Sequence, residues 1–243
     1  MSKKNKEGFE TRAIHAGQKA DPTTGAVMMP IYTSSTFEQE SPGVHKGFDY
    51  SRSINPTRKA FEECIASLEN GEVGFGFSSG VAAISACVEL LAPGDHVIAM
   101  NDLYGGTVRL FNEIKTLSQG IEVTYVDMTD IQNVLDAKTD KTKMIFVETP
   151  TNPLLRVVDL SAIADFAKSE GILSVCDNTF ASPYVQQPLS HGIDIVLHSA
   201  TKYLGGHSDL IAGALVIGKK DEELIARMAN IVNSLGPVTG AFD

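Results

Sequence analysis

Lys202 is the residue of this chain whose setting most suggests chemistry. It stands in Ser199-Ala200-Thr201-Lys202-Tyr203, among hydroxyl and small residues and just before Gly205-Gly206. Most other lysines stand among further charges on expected polar helix faces. A lysine at the end of an apolar strand is expected to be partly desolvated. Desolvation lowers its pKa and frees the amine as a nucleophile for Schiff-base formation. Taken alone, a lysine snorkelling at a strand end is the commoner case. Asp177 changes the weighting. It follows the apolar run 172–176, and a half-buried carboxylate there needs a cationic or donor partner. A protonated pyridine nitrogen would serve, and Lys with Asp is the pair that pyridoxal phosphate chemistry uses. A turn or helix-capping Asp is the structural alternative. Ser78-Ser79-Gly80 opens an expected helix, whose free N–H groups and dipole suit a phosphate. Gly80 would allow close approach, and Ser199 and Thr201 could add hydroxyl donors. Ordinary capping by Ser79 explains the same residues. Tyr104, ahead of Gly105-Gly106, could stack on a flat ring or pack at the start of a helix, two readings of equal weight.

These residues must be held by regular elements. Seven short apolar runs read as strands: 73–77, 96–100, 121–126, 143–148, 172–176, 194–198 and 211–217. Helical patterns lie between or after them, at 80–91, 104–118, 130–137, 159–170 and 220–234. The alternation predicts an α/β fold, a mostly parallel seven-stranded sheet with helices on both faces. Pro93-Gly94-Asp95 and Gly171 punctuate it as turns. In such sheets ligands collect at the carboxyl ends of the strands. Five polar clusters follow strands there: 78–80, 101–107, 149–153, 177–179 and 199–203. The first seventy residues differ, being irregular and rich in Thr, Ser, Pro and Gly. They read as an extended N-terminal arm that packs against something, often a second subunit. One helix is expected near its end, Pro56 to Leu68, with Asn55 as N-cap and Pro56 at the first helical position. The expected division is an interface-forming arm at 1–58 and an α/β domain at 59–243.

Composition narrows the function. The chain has 243 residues and a formal net charge of −10, which argues against nonspecific nucleic-acid binding. No apolar run approaches the roughly 18 to 20 residues that span a bilayer. The basic start, Met1 to Lys6, has no apolar signal region after it. Three cysteines with no CxxC pair suit a reduced, cytoplasmic protein. Gly213 to Lys219 fits GxxxxGK but lacks the following Ser or Thr, and Gly74-Phe75-Gly76 is a poor dinucleotide fingerprint. The six His show no paired metal spacing, so no metal site is expected. His198 and His207 flank the lysine loop and read as shaping it, and Cys176 reads as a buried strand residue.

Six ordered motifs carry a family resemblance. They are Ser199-Ala200-Thr201-Lys202-Tyr203, Asp177-Asn178-Thr179-Phe180, Leu103-Tyr104-Gly105-Gly106-Thr107, Tyr50-Ser51-Arg52, Asn55-Pro56-Thr57 and Glu148-Thr149-Pro150-Thr151-Asn152-Pro153. Together they resemble the Cys/Met-metabolism family of pyridoxal-phosphate (PLP) enzymes, from Thr11 to Gly236. The resemblance implies the large domain of a fold-type I PLP enzyme and a C–S bond-forming or -cleaving activity on a small amino-acid substrate. It implies that Lys202 carries the Schiff base, that Asp177 pairs with the pyridinium nitrogen and that Tyr104 stacks on the ring. It implies that Gly80, Val81, Ser199 and Thr201 hold the phosphate. Asn152 would lie near the cofactor 3-hydroxyl and the substrate carboxylate. Tyr50 and Arg52 would reach a neighbour's phosphate, in a homo-oligomer built as a dimer of dimers. Val81 stands where many relatives have Met, a harmless change if only the backbone binds. Gly106 stands where methionine γ-lyases carry Cys, which favours the cystathionine γ-synthase/γ-lyase type. Cystathionine β-lyase or O-acyl-homoserine sulfhydrylase are the alternatives. Family chains continue into a C-terminal domain that supplies an Arg for the substrate carboxylate, and this chain stops at Asp243. A partial chain is therefore expected. A cofactor-binding module without turnover is the competing class, but the semi-apolar end at 237–243 reads as interrupted.

Overall fold

The computed structural model describes residues 7–218 and 221–243. The basic Met1 to Lys6 lie outside the described residues. So do Lys219 and Lys220, where the GxxxxGK run ends and the last helix was expected to begin.

The arm carries α1 (Phe9–His15) and a small antiparallel pair, β1 (Gln39–Ser41) and β2 (Val44–His45). None of these is legible as apolar periodicity. Only Arg12 is buried in α1, and its guanidinium, not an apolar face, docks the helix by donating to Ser67 O. The arm is thus partly regular and is joined to the sheet domain by α2 (Pro56–Leu68). Asn55 caps α2 as its sequence predicts, accepting from the Thr57 and Arg58 amides at 2.9 and 3.3 Å.

The sheet strands are β3 (Val73–Phe77), β4 (His96–Met100), β5 (Glu122–Val126), β6 (Thr142–Glu148), β7 (Leu173–Asp177), β8 (Ile195–Ser199) and β9 (Gly213–Ile217). Each falls within two residues of an expected run. Their order is β3-β9-β8-β7-β6-β4-β5. Only β9 runs against the rest, pairing antiparallel with both β3 and β8. Six strands therefore share one direction, and their carboxyl ends share one edge. Side chains alternate across the sheet. Val196, Ala214 and Val216 join Ile65 and Ala66 of α2 on one face, whereas Leu197, Leu215 and Ile217 join the larger core on the other.

The helices are α3 (Gly80–Val88), α4 (Gly105–Arg109), α5 (Thr116–Gln119), α6 (Ile131–Ala137), α7 (Leu160–Glu170), α8 (Ser182–Val185) and α9 (Glu222–Leu235). Short acceptors start several of them. Ser79, Asp130, Asp159 and Asp221 each accept first-turn amides, which removes otherwise unpaired donors. Gly171 and Gly236 stop α7 and α9 in the left-handed region, at φ 66° and 67°. The single helix expected over 104–118 is divided. A π-helical stretch, Leu110–Lys115, joins α4 to α5 and buries both Phe111 and Lys115, the latter paired with Glu89. The short α8 and a 3₁₀ turn at Pro188–His191 were not expected.

Candidate active site

The carboxyl edge of the sheet opens into a cleft of about 220 Å³. Its walls bring together Ser79, Gly80 and Val81 from the start of α3, Tyr104 before α4, Glu148 at the end of β6 and Asn152 beyond it. Asp177 ends β7, and Ser199, Thr201 and Lys202 follow from β8. Eight of the ten residues expected at the site thus line one cleft.

The start of α3 is tightly packed. A Cβ on Gly80 would lie 2.7 Å from Ser199 Cβ, and one on Gly213 would lie 2.1 Å from Ser79 O. Both distances are far below contact, so these positions need glycine. The Ser79 hydroxyl accepts from Ala82 N at 3.1 Å, and its carbonyl accepts from Ala83 N at 3.2 Å. Ser79 therefore does cap the helix. The Gly80 and Val81 amides come earlier and have no intrahelical carbonyl to meet.

Asp177 is 6% exposed. The Thr179 amide and hydroxyl both donate to its Oδ1, at 3.0 and 2.5 Å. No ion pair to Asp177 is formed among the described residues. Burial pushes its carboxyl above the usual range, against those two hydrogen bonds. Glu148 lies directly beside it in the β6–β7 register. Burial, then the neighbouring Asp177, push Glu148 up to about 8, although the Tyr104 amide donates to its Oε2 at 2.9 Å. Two buried acids without a described cation make a site whose charge is unbalanced.

One expectation needs correction. Lys202 is exposed, because it sits in the turn beyond β8 and not at the buried strand end itself. Its desolvation would have to come from whatever fills the cleft. The Thr201 hydroxyl is already engaged, donating to Ala212 O at 3.2 Å and accepting from Ala212 N at 3.1 Å. Tyr50 and Arg52, expected to reach a neighbouring copy, accordingly do not line their own cleft. They stack on each other at 5.0 Å in the arm, and both are exposed. A second hollow of about 620 Å³ lies between the arm and α2, bordered by Tyr32, Phe48 and Lys59. It holds none of the strand-end residues.

Sequence reading gave no role to Glu148, Thr179, Phe180 or Ile211, all of which reach the cleft. For Glu148 a signal was present. It ends an apolar strand just as Asp177 does, and a parallel register puts the two ends side by side.

The residues present fit a phosphorylated pyridine aldehyde. Free amides and the Ser199 hydroxyl gather at one end of the cleft, and a cation-lacking buried acid lies in its wall. An exposed primary amine and an aromatic ring flank the opening.

Comparison with known proteins gives the same direction. Residues 10–243 match the model of the Cys/Met metabolism PLP-dependent enzymes. The chain is 54% identical to a cystathionine beta-lyase of Coxiella burnetii, covering 98% of this chain and 61% of that protein. It is 48% identical to a cystathionine gamma-lyase of Dictyostelium discoideum, covering 100% of this chain and 62% of the relative. The crystal structure of cystathionine gamma-lyase from Lactobacillus plantarum complexed with L-serine superposes with a TM-score of 0.94 at 48% identity. That match covers 97% of this chain and 61% of the other. The chain thus spans about 61% of the length of such relatives.

Proposed function

The chain belongs to the Cys/Met metabolism PLP-dependent enzymes, and from that premise we propose that it is the cofactor-bearing part of an enzyme that forms or cleaves C–S bonds in sulfur amino acids. The observation that carries this reading is the single cleft in which Lys202, Asp177, Tyr104 and the start of α3 meet. Bound pyridoxal phosphate would supply an aldehyde for an amine and a protonated ring that withdraws electrons from the substrate α-carbon.

Each residue then has a task in this reading. Lys202 Nζ holds the cofactor covalently and later moves a proton at the substrate α-carbon. Asp177 keeps the proton on the ring nitrogen, a role that needs its carboxylate charged. The Gly80 and Val81 amides hold the phosphate with the Ser199 hydroxyl. Thr201 joins them only by redirecting the hydroxyl that Ala212 now engages. Tyr104 covers the ring and excludes water, and Asn152 serves the 3-hydroxyl and the substrate carboxylate. Tyr50 and Arg52, remote from their own cleft, act on that of a second copy, so the assembly is a homo-oligomer, a dimer of dimers. The arm over 1–58 is then the interface and 59–243 the cofactor domain. Its three free thiols, two of them buried, suit a cytoplasmic enzyme.

Reaction at Cγ is the favoured chemistry, supported by the similarity to the Dictyostelium and Lactobacillus cystathionine gamma-lyases. Gly106 lies against the Tyr104 ring, where a Cβ would come within 2.3 Å of Tyr104 Cε1, so the ring depends on the missing side chain. Cleavage at Cβ is the second reading, supported by the similarity to the Coxiella cystathionine beta-lyase. With cystathionine and one water as substrates, Cγ cleavage releases cysteine, 2-oxobutyrate and ammonia, and Cβ cleavage releases homocysteine, pyruvate and ammonia.

Borohydride reduction with pyridoxal phosphate, followed by peptide mapping, tests the core of the proposal. A pyridoxyl group confined to the Lys202 peptide is expected, with none in Lys202→Ala. Reduction that leaves Lys202 unmodified would overturn the assignment.

A further inference from the structure

Tyr104 and Asn152 sit on two neighbouring loops, the first opened by glycines and the second stiffened locally by Pro150 and Pro153. Tyr104 precedes Gly105-Gly106, the least constrained pair a helix could start with. Its own side chain makes no cap to α4. Asn152 lies in a loop whose next three residues, Pro153, Leu154 and Leu155, are exposed, although Thr151 just before it is buried. Each loop is nevertheless gripped by a buried carboxylate from the other. Glu148, at the end of β6, accepts the Tyr104 amide through Oε2 at 2.9 Å. Asp102, in the loop after β4, accepts the Thr151 hydroxyl at 2.5 Å and the Leu154 amide at 3.1 Å, both through Oδ2. The two acids are 4% and 8% exposed. Strands β4 and β6 are neighbours in the sheet, so the exchange runs straight across the edge.

We propose that Glu148 and Asp102 are positioning residues of the cofactor site, forming a reciprocal clamp in which Glu148 sets Tyr104 and Asp102 sets the loop that carries Asn152. The assignment rests on the cofactor reading given above. An acidic side chain suits the task because one of its oxygens accepts a backbone N–H whether or not the group holds a proton, and a buried amide deprived of that acceptor is costly. Neither acid needs to touch a reacting atom. Thr151 extends the clamp, since its hydroxyl also accepts the Arg156 amide at 2.8 Å and so closes the loop on itself.

The test measures equilibrium affinity for pyridoxal 5′-phosphate and the visible circular dichroism it acquires on binding, which reports how the ring is stacked. Glu148→Ala is expected to weaken binding ~10-fold and to alter the induced band, the size of one buried amide left without its acceptor. Glu148→Gln keeps an acceptor for the Tyr104 amide and should remain within ~3-fold of the parent with the parental band. In a Tyr104→Ala background, Glu148→Ala should add less than ~2-fold, because the path through Tyr104 is already cut. Asp102→Ala should behave likewise against Asn152→Ala. Parental affinity and band in Glu148→Ala, or an undiminished effect in the Tyr104→Ala background, would overturn the clamp. If a variant does not fold, hydrogen exchange of the parent protein decides. The Tyr104 and Leu154 amides should be protected at least ~100-fold, and free exchange at both would sink the proposal. Failure of the parent protein to form a reducible adduct at Lys202 would instead refute the cofactor reading, so the two failures are distinguishable.

Discussion

The two ends of the central sheet both bury titratable groups, and they treat them in opposite ways. At the amino edge His96 is 3% exposed, and each ring nitrogen has a hydroxyl partner, Thr142 at 2.8 Å and Thr124 at 2.9 Å. At the carboxyl edge Asp177 and Glu148 lie side by side, and Asp177 adds to burial in raising the Glu148 carboxyl. The amino edge is chemically closed. The carboxyl edge is held together by backbone and packing but leaves a charge unanswered. Polar burial that is fully satisfied stabilises a fold, whereas burial left incomplete points to something that binds.

Removing the charge that a bound cation would answer should have the largest effect. Asp177→Asn keeps the size of the side chain and an acceptor for Thr179. It should weaken retention of pyridoxal phosphate ~100-fold, the scale of losing one partner of a desolvated charge pair. The stripped protein should unfold at the same temperature or higher, since a desolvated acid without a cation disappears. Parental affinity in this variant would remove the distinction between the two edges.

The edges should also respond to pH with opposite sign. Glu148 is raised from 4.5 to about 8, so between those values the folded stripped protein keeps a proton that the unfolded chain has lost. Stability from this group is full below the lower value and declines as pH rises toward 8, by on the order of 4 kcal/mol. Burial chiefly lowers His96 below 6.5, with Lys141 adding to it and Glu122 opposing. Its contribution is present above 6.5 and is lost as pH falls through the depressed value. Thermal unfolding of the stripped protein from pH 5 to 8 should therefore show a decline at the alkaline side that Glu148→Gln abolishes. A level profile would show that Glu148 is not held protonated.

The smallest effect sharpens the contrast. His96→Leu leaves the Thr124 and Thr142 hydroxyls without their ring partners and should cost about 1–2 kcal/mol in chemical unfolding. Cofactor affinity should not move. A weakened affinity would mean that the two edges are coupled through β4.

Much of this was legible in the chain. The seven strands announce themselves because β-branched and aliphatic runs of five to seven residues, bounded by turn residues, have few other uses. Asn55-Pro56 and Asp159 mark helix starts by local hydrogen-bonding chemistry alone. Strand direction was not legible. Gly213–Ile217 looks like its parallel neighbours, and its reversal is fixed only by where the chain re-enters the sheet. Lys202 could be picked out by its neighbours, but its exposure depends on the turn beyond β8. The bond between Thr201 and Ala212 joins residues across a loop whose shape no pattern gives. Glu148 was visible as a strand-ending acid and was passed over because its partners, Tyr104 and Asp177, lie in other strands and loops. The arm hid α1 because a buried arginine, with no apolar stripe, anchors that helix.

The insertion of β9 between β3 and β8 also orders events in time. The first strand of the sheet to leave the ribosome pairs only with the last. A chain that has emerged as far as Ser199 can join β4, β5, β6, β7 and β8, yet β3 still has no strand beside it, and Gly213 has not reached the turn at Ser79. The five-stranded block must therefore wait with an open edge, and the tight packing at the start of α3 is among the last features to close.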